Sequence, residues 1–158
     1  LFDSSLDHCS ELTLYNGKVV LKGIISCART CLAHGVPVGL GTDTACTYVT
    51  QYDFWRELQY FHLFTGVSRS FALYTATKRN AEIAGIGAET GSIEEGKCAD
   101  LLVTEGNPLE DLTVLRQPYL VAARGKVIMN PRIPKIEVCE TRLDQGLKKL
   151  ETMKEITL

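Results

Sequence analysis

A single acidic side chain follows what the sequence predicts to be a buried strand. Residues 36–40 are apolar or glycine, and Gly41 then allows the backbone to turn before Thr42 and Asp43. A short apolar run bounded by turn residues is typical of a parallel strand buried on both faces. In parallel α/β folds, ligands and metals bind at the carboxyl ends of such strands. Asp43 is therefore the candidate catalytic and metal-binding residue, although aspartate is also common in turns for backbone reasons alone.

Three histidines are the other candidate metal ligands in this sequence. His34 precedes the predicted strand, and at about 3.3 Å per residue it lies roughly 20 Å from Asp43, too far to share a metal ion. His62 falls in the middle of a predicted helix, where a surface or packing role is more common. His8 lies in a stretch to which we assign no structure. Zinc sites take three or four protein ligands, but the sequence offers one credible ligand, Asp43.

The cysteines show none of the spacings that hold zinc or form redox motifs. Cys27 and Cys31 lie four residues apart on a predicted helix and so share one face. Such residues are more often small buried hydrophobic groups than ligands or a disulfide. We therefore predict reduced thiols and a cytoplasmic protein. The six cysteines are Cys9, Cys27, Cys31, Cys46, Cys98 and Cys139.

Composition describes an ordinary globular chain. Its 158 residues suffice for one domain or a domain with an appendage, and 45% of them are hydrophobic. A formal net charge of -2 gives no indication of a nucleic-acid partner or an acidic membrane surface. No apolar run approaches the roughly 20 residues that a membrane helix needs. The chain begins at Leu1, without methionine or a signal-peptide pattern, so we expect residue 1 not to be the start of the natural gene product.

Periodic apolar residues predict four helices in the first half of the chain. Glycines follow the first, the second and the last of them, as expected at helix ends. Asn16-Gly17 is a turn signal in an otherwise unassigned leader. We place the helices at residues 24–33, 54–65, 69–76 and 81–84, with Ser68 and Asn80 as the N-caps of the last two.

The second half begins with turns and short apolar runs. Arg124-Gly125 is placed to join two strands as a hairpin, and Pro131 stops the sheet. A charged helix near the end carries Leu143, Leu147 and Leu150 on one face. We predict strands at residues 99–104, 112–115, 119–123 and 126–129, and the charged helix at residues 140–154.

The order of several short motifs resembles a known family. A Gly-Leu-Gly-Thr-Asp turn at 39–43 is followed by Glu-Leu at 57–58 on a helix and by Ala-Thr-Lys-Arg-Asn-Ala-Glu at 76–82. Gly-Ser-Ile-Glu-Glu-Gly-Lys-Cys-Ala-Asp-Leu-Leu-Val follows at 91–103, and Asn-Pro-Leu at 107–109. Together these resemble the carboxyl-terminal part of a metal-dependent amidohydrolase, similar to the imidazolonepropionase and Xaa-Pro dipeptidase-like branch.

This resemblance implies an α/β fold: the last part of a (β/α)8 barrel and part of a small β-sandwich built from both chain ends. The charged helix predicted from its leucine spacing forms a third, carboxyl-terminal part. The parts would cover residues 1–88, 89–134 and 135–158. The strand at 36–40 would be the eighth barrel strand. Asp43 would bind a catalytic divalent metal, expected to be zinc, and accept a proton from the attacking water. The implied reaction is hydrolysis of a C–N bond in a small amide or peptide-like substrate.

The sequence also departs from the family's pattern. A full barrel takes about 250 residues, and this chain has fewer than 90 before its β part. The family's His-x-His motif and its later histidines are absent. We therefore expect a carboxyl-terminal portion that lacks a complete active site. A second interpretation is a non-catalytic oligomerising module derived from an amidohydrolase, since a partial barrel exposes edges and apolar faces that favour homo-oligomers. A third is a split enzyme completed by a partner chain.

Other polar residues are expected to have structural roles. We expect Glu57 to be solvated on a helix face rather than to contact a substrate. We expect Thr77, like Asn80, to cap a helix end, and Asp100 to order the turn into the β part.

Three aromatic residues follow Asp43 closely. Tyr48, Tyr52 and Trp55 could form the wall of a substrate pocket, and they could equally belong to the hydrophobic core. The sequence leaves these alternatives open.

Overall fold

The computed structural model describes residues 10–44 and 49–152. His8, Cys9, Cys46 and Tyr48, which the sequence analysis considered, lie outside these residues. None of the helices in the two described stretches is long and apolar enough to cross a membrane. In chain order the elements are α1 (Glu11–Ala33), α2 (Phe54–Thr65), α3 (Arg69–Tyr74), a π-helical turn (Thr75–Arg79), α4 (Asn80–Ile83), β1 (Leu101–Val103), a 3-10 helix (Leu112–Arg116), β2 (Leu120–Ala123), β3 (Lys126–Met129) and α5 (Glu137–Thr152).

Helix α1 is longer than predicted and includes Asn16-Gly17, so the turn predicted there is wrong. The Ser10 hydroxyl caps the helix by accepting a hydrogen bond from the Thr13 N–H at 3.1 Å. The helix ends before Gly35, whose φ of 68° is the left-handed conformation expected after a helix. Buried Ile25 packs against other helices, so tertiary contacts and the cap outweigh the local turn preference.

Cys27 and Cys31 lie on α1 as free thiols. Cys31 is half-buried, but Cys27 is exposed, so the prediction that both are buried is wrong for Cys27. The helix packs through another face, centred on Ile25, which is 4% exposed. Of the cysteines that the structure describes, Cys98 and Cys139 are also free.

The middle helices follow the predicted order. Helix α2 begins and ends as expected, and Gly66 after it has a φ of 78°. The Ser68 hydroxyl accepts a hydrogen bond from the Phe71 N–H at 3.1 Å, which confirms the predicted N-cap. The N-cap predicted at Asn80 is wrong, because α3 continues through the π-helical turn into α4 and Asn80 has helical dihedral angles. Thr77 donates its hydroxyl to the Leu73 carbonyl within this helical stretch and is not an N-cap.

Three antiparallel strands form a sheet in the order β1-β2-β3. The β2–β3 hairpin turns at Arg124-Gly125, as predicted, and both residues have the positive φ, 48° and 79°, of a type I′ turn. The strand predicted at 112–115 is wrong, since these residues form the 3-10 helix. The Asp111 carboxylate accepts a hydrogen bond from the Thr113 N–H at 2.8 Å and starts that helix, and Leu112 is fully buried beneath it.

Two apolar clusters connect these elements. In the first, Leu58 and Phe61 of α2 pack with Ala72 of α3 and with Leu112. The second cluster joins Ile25, Phe64 and Leu150, one from each of α1, α2 and α5. Helix α5, predicted from its leucine spacing, is thus anchored on the helical part of the molecule. The division of the chain into three parts near residues 88 and 134 stays a prediction.

Candidate active site

The segment that leads to Asp43 is extended but is not a strand of a sheet. No described strand lies beside residues 36–40, and Val36 is 50% exposed, so the prediction of a strand buried on both faces is wrong for this structure. The Asn80 carboxamide takes the place of a neighbouring strand. Its Oδ1 accepts from the Leu40 N–H at 2.9 Å, and its Nδ2 donates to the Leu40 carbonyl at 2.9 Å.

Gly39 makes this approach possible. A Cβ at this position would lie 2.8 Å from Asn80 Oδ1 and 3.3 Å from Ile83 Cδ1. Any side chain would therefore displace the carboxamide from Leu40. Gly41 meets no such crowding from the described residues, none of which has an atom within 4 Å of a Cβ placed there. The structure thus gives a steric reason for the first glycine of the Gly-Leu-Gly motif.

Asp43 follows in the left-handed region, with a φ of 51°. Aspartate tolerates this conformation better than most residues, but it persists only where surrounding contacts maintain it. The side chain is exposed. The hydroxyls of Thr42 and Thr44 on either side are hydrogen-bonded to each other at 2.8 Å. The Asp43 carboxylate thus lies at the surface, at the end of the extended segment.

The described residues do not provide a complete set of metal ligands. Across residues 10–44 and 49–152, no three His, Cys, Asp or Glu side chains come together in a way that could hold a metal ion. His34 is exposed at the end of α1. His62 has its Nδ1 on the Val67 carbonyl, the packing role expected for it. These donors do not fit a metal centre around Asp43 within this part of the chain.

The aromatic residues after Asp43 have structural contacts. The Tyr52 hydroxyl accepts a hydrogen bond from the Ile136 N–H at 2.8 Å, just before α5. Trp55 is 5% exposed, and its indole N–H donates to the Asp53 carboxylate at 3.0 Å. The guanidinium of Arg56 lies 4.5 Å from the centre of the Trp55 ring. The structure therefore connects Tyr52 to the residue before α5 and buries Trp55 beside Asp53 and Arg56, which are structural contacts rather than those of a pocket wall.

A buried ionic cluster was missed by the sequence analysis. Arg56, 3% exposed, contacts Asp144 at 2.8 Å, Asp53 at 3.3 Å and Glu140 at 3.4 Å. Arg116 bridges from the other side, contacting Asp144 at 2.9 Å and also Glu140. The partners are up to 88 residues apart in sequence, and no local pattern pairs them. The ion pairs of this cluster connect α5 to the start of α2.

The carboxyl groups of this cluster differ in acidity. Burial raises the pKa of Glu140, and its hydrogen bond with Asp53 raises it further. Burial also acts to raise the pKa of Asp53, but the hydrogen bond from Glu140 and the charge of Arg56 outweigh it, so that this pKa lies below its usual value. The pKa of Asp144 is likewise lowered against burial by hydrogen bonds from Arg56 and Arg116. Of these three carboxyl groups, Glu140 is therefore the one whose pKa lies above its usual value.

Glu57 is half-buried, so the expectation of a solvated side chain is wrong. Burial raises the pKa of Glu57 above its usual value. The folded state therefore holds this proton more tightly than the unfolded state, and the associated stability is lost as pH rises from about 4.3 through the raised pKa.

We expect Glu57→Gln to stabilise the chain at pH 7 and to have little effect at pH 4, because burial disfavours the charged form of the wild-type side chain, which becomes more populated as pH rises. The difference at pH 7 should exceed the roughly 0.5 kcal/mol typical of surface substitutions. Urea unfolding at both pH values measures it. Glu105→Gln, at an exposed position, is the control and should change stability by less at either pH. Equal effects of Glu57→Gln at pH 4 and pH 7 would contradict the prediction.

The motif at 91–103 also has a structural explanation. Asp100 accepts hydrogen bonds from the Arg124 N–H at 2.7 Å and from the Thr90 hydroxyl at 2.8 Å. These bonds lower the pKa of Asp100. As predicted, Asp100 orders a turn, here by joining the start of β1 to the β2–β3 hairpin. Gly91 has a φ of 92° and lies against Ala81 of α4.

Solved structures of other proteins share the fold of this chain. Solved structures with the same chain path include a protein from Bifidobacterium longum classed as a prolidase, with a TM-score of 0.88 and 41% identity over 92% of this chain and 36% of that chain. A Xaa-Pro dipeptidase matches with a TM-score of 0.67 and 30% identity, over 80% of this chain and 30% of that chain. The fold is thus that of part of a metallo-dependent hydrolase.

Sequence comparison identifies the family. Residues 6–128 match the amidohydrolase family, so the chain belongs to it, as the motif order predicted. Ochratoxinase from Aspergillus niger is 36% identical over 103 residues, which are 63% of this chain and 21% of that protein. The chain thus spans about a fifth of the length of this relative and about a third of the solved structures.

Proposed function

We propose that this chain is the carboxyl-terminal portion of a metal-dependent amidohydrolase that hydrolyses a C–N bond in a small amide or peptide-like substrate. The observation that carries the proposal is the agreement with the B. longum protein over 92% of the chain at 41% identity. The Xaa-Pro dipeptidase and ochratoxinase likenesses favour the same class of amide bond. A dipeptide that ends in proline is therefore the first substrate to test.

Asp43 would bind the metal and accept a proton from the attacking water. Its position at the end of the extended segment supports this role, because this segment would be a strand in a complete barrel, and polar residues at the carboxyl ends of barrel strands contact ligands. A divalent ion, which we expect to be zinc, would supply an acidic bound water and a positive charge near the carbonyl oxygen. Since the described residues lack a full ligand set, the remaining ligands would come from elsewhere in the natural gene product.

The exposed apolar surface of β1 and β3 supports a protein in which further polypeptide covers this surface. Every residue of β1 is at least 36% exposed, and Val127, Ile128 and Met129 of β3 are 48–58% exposed. Such an area favours completion by further polypeptide, with residues 36–40 as the eighth barrel strand and the sheet as part of a β-sandwich. The same surface favours the second candidate, a non-catalytic module that forms homo-oligomers. Light scattering of the 158-residue chain tests that candidate, and a stable monomer would contradict it.

Hydrolysis assays on the natural gene product test the proposal. We expect release of proline from Xaa-Pro dipeptides, loss of activity after treatment with a chelator, and recovery when zinc or another divalent ion is restored. N-acyl amino acids extend the assay to other amide substrates. Activity that a chelator leaves unchanged, or no hydrolysis of either group of amides by metal-loaded protein, would contradict the proposed function.

A further inference from the structure

Asn80 contacts the segment before Asp43 in a way that its position in a helix does not require. Both polar atoms of its carboxamide bind the backbone of Leu40, each at 2.9 Å, across a separation of 40 residues in sequence. In a sheet, the N–H and carbonyl of a residue are satisfied by a neighbouring strand. Here one side chain satisfies both groups, and it determines where residue 40 lies relative to α4.

The surroundings of Asn80 are shaped for this contact. The π-helical turn Thr75–Arg79 ends immediately before it, and π-helical turns frequently occur where a helix directs a side chain toward a functional site. Opposite, Gly39 leaves room for the carboxamide, because a Cβ there would lie 2.8 Å from Asn80 Oδ1. Gly39 on one side of the carboxamide and the π-helical turn on the other make the contact specific to an asparagine at position 80.

Leu40 is three residues before Asp43, whose φ of 51° needs external support. We propose that Asn80 is a positioning residue for Asp43: its carboxamide fixes the backbone at Leu40 and thereby sets the place and conformation of the carboxylate. This inference rests on the role proposed above for Asp43. It adds that α4, and not only the extended segment 36–40, determines the position of that carboxylate.

Two substitutions at Asn80 separate its contributions. Asn80→Ala removes both hydrogen bonds, whereas Asn80→Asp keeps the acceptor for the Leu40 N–H and loses the donor to the carbonyl. Glu82→Gln is the control on the same helix, because among the described residues its carboxylate forms an ion pair with Arg79 near the surface and makes no hydrogen bond to Leu40. The chain is labelled with 15N, and the exchange rate of the Leu40 amide and the signal of the Asp43 amide are followed by NMR.

For Asn80→Ala we expect exchange at Leu40 to increase by at least about tenfold, the factor for one ordinary hydrogen bond, and the Asp43 signal to shift. Amides in the centre of α2 should retain their protection. Asn80→Asp should give an intermediate increase, and Glu82→Gln no change. Unchanged exchange at Leu40 would overturn the inference, and so would an equal increase at all amides, because that pattern reports only a loss of global stability.

Measuring kcat and KM of the natural gene product adds a test that a change in global stability alone does not affect. We expect Asn80→Ala to lower kcat by about tenfold or more with KM changed by less than about twofold, because Asp43 is displaced and substrate contacts are kept. A change confined to KM would overturn the inference. If the wild-type protein hydrolyses no amide, the proposed function fails, and the amide-exchange experiment still decides whether Asn80 fixes the backbone at Asp43.

Discussion

Arg56→Met is expected to destabilise the chain by about 3 kcal/mol, because it removes the cation at the centre of a buried cluster and leaves carboxylates without a partner. Arg56 is 3% exposed and contacts Asp53, Glu140 and Asp144 within 3.4 Å. Arg116 remains near two of these acids, which places the expected loss at the lower end of the range for buried ion pairs.

Urea unfolding followed by tryptophan fluorescence measures this loss directly. Trp55 is the only tryptophan, and the guanidinium groups of Arg56 and Arg116 lie 4.5 and 5.7 Å from its ring centre. Release of α5 should therefore change its emission. Arg79→Met is the matched control, since Arg79 pairs with Glu82 at the surface and should contribute less than about 1 kcal/mol. Equal losses for the two variants would show that the cluster does not hold α5 in place.

Gly91→Ala is expected to destabilise the chain by roughly 2–4 kcal/mol through two effects that act together. The φ of 92° at Gly91 is unfavourable for any residue with a Cβ. The added Cβ would also lie 2.5 Å from Ala81 Cβ and 3.1 Å from the Thr77 carbonyl oxygen. These neighbours are a short side chain and backbone, so neither can move aside without shifting α4 or the π-helical turn.

Gly125→Ala isolates the backbone effect. Gly125 has a φ of 79°, but a Cβ there would meet no atom of the described residues within 4 Å. We expect this control to destabilise the chain by about 1 kcal/mol, the cost of the left-handed conformation alone. The difference between the two variants, measured by urea unfolding, gives the packing contribution at Ala81. A Gly91→Ala variant no less stable than the Gly125→Ala variant would contradict the close approach of the 91–103 motif to α4.

Local sequence signals predicted the elements that local physics determines. Helix α2 is delimited by apolar periodicity and Gly66, and the β2–β3 hairpin by Arg124-Gly125. Where a polar side chain reorganised the backbone, the prediction was wrong: Asp111 starts a helical turn in place of a strand. The predicted strand at 36–40 is extended with no neighbouring strand among the described residues, because a strand needs a partner that apolar periodicity cannot supply.

For the candidate site, the sequence indicates Asp43, whose role stays a prediction. Asp43 could be selected because a carboxylate directly after a short apolar run is typical of ligand-binding strand ends, although aspartate is also common in turns. The contact of Asn80 with Leu40 joins residues 40 apart, and the contact of Arg56 with Asp144 joins residues 88 apart. Neither leaves a local pattern, although Asn80 lies within the motif at 76–82 and Gly39 within the turn at 39–43. Only the tertiary structure reveals that these two motifs meet.

The role of Asp43 is tested most directly by measuring kcat/KM for an Xaa-Pro dipeptide with the natural gene product and its Asp43→Asn variant, each loaded with zinc. Glu105→Gln, which changes an exposed carboxylate of the β part, is the control. We expect Asp43→Asn to lower kcat/KM by roughly 10²–10⁴-fold, the contribution of a positioned general base, and the control to lie within about twofold of wild type. An Asp43→Asn variant as active as the control would contradict the assignment of Asp43.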